Sequence, residues 1–195
     1  MTPRPPTPTG AWRVVSGILL VARFRAAGFD RLGDTRQAFL TSLAPLLAFP
    51  LAGLALSVLG GGKGAFSDFL MTVAAVLAPP VISHMLAASW GREALWPRFA
   101  TAFNWCQWAI PLAAVLVFTG FGIAWRAGVP VHVAAILALF VLAAYGLALH
   151  FFLARRGLGL PPGKSILLVL AVNLGTAAVI LVPRLLAGGT AALPG

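Results

Sequence analysis

The chain has 195 residues, of which 60% are hydrophobic and only 9% charged, with a mean hydropathy of +0.96. Soluble domains ordinarily carry about 25% charged residues. This composition therefore excludes a water-soluble globular fold and a disordered chain, and makes the lipid bilayer the solvent. The formal charge is +10, from 14 basic and 4 acidic residues, and a single cysteine, Cys106, excludes an internal disulfide framework or a multi-cysteine metal site.

The first segment, residues 1–10, is rich in Pro and Thr without periodicity and reads as a disordered cytoplasmic tail. Residues 11–36 follow as an interfacial helix and turn. Within them the apolar run Val14–Ala22 is nine residues long, too short to span a bilayer, and is flanked by Trp12, Arg13, Arg23 and Arg25. A signal peptide also has a short apolar core, but Arg23 and Arg25 follow at once with no small-residue cleavage pattern before them. The expectation is a helix lying in the cytoplasmic headgroup layer, or one partly buried under the bundle. Its amphipathicity is imperfect, because Val14, Val21 and Phe24 spread around the helical wheel. Phe29–Thr35 turns the chain, with Asp34 or Thr35 available to cap the next helix.

Residues 37–187 hold five stretches long and apolar enough to cross roughly 30 Å of hydrocarbon. They run about Gln37–Leu59, Phe66–Trp90, Phe99–Trp125, Val131–Leu153 and Ser165–Ala187. Glycine, proline and charge clusters separate them: Gly60–Gly64, Gly91–Glu93 with Pro97 and Arg98, Arg126–Pro130, and Arg155–Lys164. Short connections make neighbours antiparallel. Residues 188–195 read as a short periplasmic tail. The fold class is thus all-α: a polytopic five-transmembrane-helix bundle with an N-terminal interfacial helix.

Charge orients it. With the N-terminus inside, the cytoplasmic segments hold Arg4, Arg13, Arg23, Arg25, Arg31, Arg36, Arg92, Arg98, Arg155, Arg156 and Lys164. The opposite side holds only Lys63, Arg126 and Arg184. Positive charge is retained inside, so the expected orientation is N-in and C-out. The same cations favour a bilayer with anionic headgroups as the partner. Nucleic acid is not expected, because no soluble domain is present to dock on a duplex.

No catalytic motif, cofactor fingerprint or metal-ligand spacing is present. Gly60–Gly64 lacks the pattern of a phosphate-binding loop and reads as a flexible turn. The acids Asp30, Asp34, Asp68 and Glu93 all lie near span ends, which disfavours carboxylate-coupled transport and hydrolysis. Asp68 is placed to cap the second span. Cys106 reads as a packing residue, without an electropositive setting to activate it.

Polar residues within spans carry more information, because lipid does not solvate them. Pro79 and Pro80 predict a kink in the second span and leave carbonyls short of donors, within reach of Ser83 and His84. Asn104, Gln107, Trp108 and Pro111 share one face of the third span. His150 lies on a small face of the fourth with Gly146, and Asn173 and Thr176 share a face of the fifth. His84, Asn104, Gln107, His150 and Asn173 form a candidate polar cluster. It reads either as hydrogen-bonded helix joints or as a ligand or ion site in which His84 is the titratable member.

Gly10–Arg13, Gly28–Asp30 and Ala38–Ser42, with Trp96–Phe99 and Ala102–Trp105, resemble a group of small uncharacterised multi-pass membrane proteins of alphaproteobacteria. That resemblance implies a bacterial inner-membrane location and brings no assigned activity. The predominance of Arg over Lys agrees with a high-GC bacterial source. The layout of a cytoplasmic N-terminal segment and five close spans is similar to that of the Yip1-type membrane proteins, which implies a role in membrane organisation.

The expected function is therefore a non-enzymatic inner-membrane scaffold, accessory subunit or membrane-organising protein, partnered by another membrane protein or a second copy. The alternative is a small transporter component with a polar cavity facing the cytoplasm.

Overall fold

A computed structural model describes residues 10–60 and 64–190. The proposed tail at residues 1–10 lies outside the described residues except for Gly10, which already belongs to the first helix. The described chain consists of helices joined by short turns. They are α1 (Gly10–Ala22), α2 (Phe29–Leu32), α3 (Arg36–Leu59), α4 (Ala65–Ser89), α5 (Trp96–Cys106), α6 (Ala109–Arg126), α7 (Val131–Gly157) and α8 (Pro162–Thr190).

Five crossings are long and apolar enough to span a membrane: α3, α4, α5 with α6, α7 and α8. The spans thus fall where hydropathy and punctuation set them. Thr35 caps α3, its side chain accepting from the Ala38 amide at 3.1 Å. Gly64 precedes α4 with a left-handed φ of 86°. Asp68 is not that helix's cap; it stands in the first turn, where its carboxylate favours the positive end of the helix dipole. Helix α8 continues to Thr190, so only residues 191–195 of the expected tail lie outside the described residues.

The third crossing is not one helix. Its ladder breaks at Gln107 and Trp108, where the Gln107 amide is shared between the Phe103 and Asn104 carbonyls and Trp108 bonds back to Trp105. Pro111 supplies a physical reason. Having no N–H, it leaves the Gln107 carbonyl without its i+4 donor. Pro79 and Pro80 act differently, for α4 runs through both without interruption.

Packing is strongly polarised along the bundle. The large buried side chains, Val21, Phe29, Phe99, Leu149, Leu153, Leu158 and Leu168, all lie at the end carrying the N-terminal segment and the α4–α5 and α7–α8 turns. Helix α5 is the centre of that end: every residue from Phe99 to Asn104 is buried, as is Cys106. Ala100 and Ala102 permit this close approach. Towards the other end the buried apolar residues are alanines, Ala65, Ala134 and Ala138, at close helix–helix contacts. Leucines and phenylalanines there, such as Leu59, Leu116 and Phe140, face outward.

Candidate functional site

Two features of the chain are built rather than incidental. One is the N-terminal helix, locked onto the packed end. The other is a polar pocket at the broken third crossing.

Helix α1 has two apolar faces. Val14, Gly17, Ile18 and Val21 follow i, i+3, i+4, i+7 spacing; the last three are buried and Val14 is half-buried against the core. Trp12, Val15 and Leu19 occupy the opposite side and are exposed. That division accounts for the imperfect amphipathicity of the sequence: one apolar face meets protein and the other is left over.

The lock is tight. A Cβ on Gly28 would stand 2.6 Å from Val21 Cγ2 and 2.7 Å from the Gly17 carbonyl, so only glycine permits this approach. The Tyr145 hydroxyl donates to the Ala22 carbonyl at 3.0 Å. Phe24 ends the helix with a φ of 57°. That conformation is unfavourable for a bulky residue, and edge contacts of its ring with Tyr145 and Phe152 hold it there. Arg98 lies over the Phe29 ring and pairs with Asp30 at 3.4 Å, joining α2 to α5 at the surface.

The five predicted polar residues do not converge on one point. They fall into three places. Asn104 and Gln107 line a pocket of about 300 Å³ with Leu46, Thr72, Ala75, Val76, Pro79, Phe103 and Thr176. His150 and Asn173 border a separate groove with Gly146 and Leu142. Phe103 belongs to the pocket wall and stacks on His150, ring centroids 4.8 Å apart, so this ring stands between the two spaces. His84 is in neither. It meets Trp96 edge-on at 4.8 Å and approaches Glu93 at 3.5 Å, with its side chain 42% exposed.

Their hydrogen bonds divide them further. The Asn104 amide donates to the Ser42 hydroxyl at 3.0 Å, and Ser42 donates in turn to the Phe39 carbonyl at 2.6 Å. The hydroxyl proton is thereby committed, so Asn104 must present Nδ2 to Ser42 and keeps Oδ1 free. Asn173 instead folds onto its own helix, donating to the Val169 carbonyl at 2.7 Å. Ser83 accepts from the Trp96 indole and donates to the Pro80 carbonyl, both at 3.1 Å. It therefore does not serve the carbonyls that the two prolines deprive. Those belong to Ala75 and Val76, whose i+4 residues are Pro79 and Pro80; Ala75, Val76 and Pro79 border the pocket.

Thr176 is the less obvious member of the pocket lining, and Trp108 stands at the helix break without bordering the pocket. Their polar atoms, Thr176 Oγ1 and Trp108 Nε1, are buried without a hydrogen-bond partner among the described residues, as are Thr101 Oγ1 and His150 Nδ1. Thr176 shares a face with Asn173 in the sequence, but nothing in its spacing distinguishes it. The break at Gln107 had a legible signal in Pro111.

Comparison with protein-family models, with curated proteins and with solved structures finds no match for the chain.

Proposed function

We propose that the protein is a non-enzymatic, membrane-organising inner-membrane protein that acts through α1 at the cytoplasmic surface. The observation that carries this reading is the fixed, two-faced α1. A helix free to move could place its apolar face anywhere. This one is locked to the spans, so Trp12, Val15 and Leu19 lie beside the bundle at the level of the basic end. An apolar face there is satisfied by the boundary between headgroups and acyl chains, as in other interfacial helices. Arg13, Arg23 and Arg25 are exposed on or beside the same helix. Near an anionic surface each contributes about 1 kcal/mol of attraction. Material inserted in one leaflet only, rigidly joined to five spans, spreads that leaflet. This is a physical route to the organising role implied by the Yip1-like layout.

The orientation belongs to the same reading. Basic residues gather at the packed end, so that end faces the cytoplasm. A reporter fused after Gly195 is then exported; reporter activity in the cytoplasm overturns the orientation.

The surface role is tested by reconstituting the full chain in phosphatidylcholine vesicles with and without phosphatidylglycerol and measuring vesicle diameter. The expected result is smaller vesicles, more so with the anionic lipid, and loss of the effect in Trp12→Glu/Leu19→Glu. Equal diameters for the variant and the parent, both folded by circular dichroism, overturn it.

A further inference from the structure

The pocket at the broken crossing is independent of α1 and carries more acceptors than N–H donors. Ala75 and Val76 offer carbonyls without i+4 donors, and Asn104 offers Oδ1. Thr176 contributes a buried hydroxyl with no partner among the described residues, and Gln107 contributes an amide at the helix break. Acceptors therefore outnumber obligatory donors. No ionisable side chain lines the space, so a net charge placed there meets no counter-charge and a charged ligand is disfavoured. A volume of about 300 Å³ is many times what a single water requires. Phe103 and Leu46 give the same pocket an apolar wall.

Thr72 borders both this pocket and a groove of about 440 Å³ between α3 and α4, which continues past Ser57 to Asp68. That groove leads towards the end of the bundle bearing the α3–α4 connection, away from the packed basic end.

From these features we infer a binding site for a small neutral molecule of the primary-amide class. An amide NH₂ has two donors for the surplus carbonyls, and its own carbonyl accepts from Gln107 or Thr176. A short alkyl group rests against Phe103 and Leu46. An alcohol, with one donor, leaves more of the acceptors unmatched. Burying a polar molecule costs free energy unless its groups are matched, and the unmatched pocket groups reduce that cost.

The test is saturation-transfer NMR on the full chain in dodecylmaltoside micelles, with acetamide and propanamide as the probes. Saturable transfer to both is expected. Thr176→Val keeps the shape and removes a hydroxyl that has no partner among the described residues, so it should fold at least as well as the parent. It should weaken binding about five- to tenfold, the loss of one net hydrogen bond. Thr119→Val, on the exposed part of α6, should leave binding unchanged. Binding unaltered by Thr176→Val places the probe elsewhere and overturns the assignment. Absence of transfer in protein that melts cooperatively also overturns it, and means the pocket takes water only.

Discussion

Asn104 and Ser42 lie 62 positions apart and join at 3.0 Å, both side chains buried. Ser42 is the only residue of α3 that is fully buried. This bond is therefore the main polar tie between the first crossing and the central helix α5. Removing the acceptor with Ser42→Ala strands a buried N–H, which should cost about 1–3 kcal/mol. A double-mutant cycle with Asn104→Ala should give a coupling of about 0.6–1.7 kcal/mol, the range found for hydrogen bonds between membrane helices. Reversible unfolding in mixed micelles measures both; a coupling near zero would mean that apolar packing alone holds α3 to α5.

The seat of α1 depends on a single missing methyl group. Gly28→Ala would drive its Cβ against Val21 and the Gly17 carbonyl, and backbone atoms cannot yield as a flexible side chain can. A destabilisation of about 1–3 kcal/mol is expected. Tryptic cleavage at Arg23 and Arg25 should accelerate as the helix loosens. Gly10→Ala, in the same helix with nothing within 4 Å of an added Cβ, should leave the cleavage rate unaltered.

The broken crossing is open to a simple repair. Pro111→Ala restores an N–H opposite the Gln107 carbonyl and should let α5 and α6 run together. Amide exchange across residues 107–112 should slow as a result. Unchanged exchange would show that packing around Trp108, whose ring stacks on Phe49 at 5.2 Å, sets the break instead of the proline.

Some of this architecture is legible in the sequence. The five spans follow from hydropathy because lipid cannot satisfy an open backbone, so apolar stretches of that length must be helices. The Thr35 cap was within reach for a similar reason: it depends on a side chain and an amide three residues away. The same local logic would have located the break at Gln107 had Pro111 been treated as a missing donor instead of a member of a face.

The polar cluster required the tertiary structure. Helical periodicity places Asn104, Gln107, His150 and Asn173 on faces, but not which faces meet. Phe103 separates two of these residues from the other two, and His84 turns to Trp96 and Glu93 near the surface. The two faces of α1 are a second case. Val14, Val21 and Trp12 are all apolar, and only the fit of Gly17 to Leu32 and Gly28 to Val21 selects the side that meets the bundle. Sequence alone thus determined the solvent, the number of crossings and the end of the bundle that carries the positive charge, because each is a sum over local transfer energies. Tertiary structure decided which polar groups are satisfied and where a pocket remains, because those depend on close contacts between segments tens of residues apart.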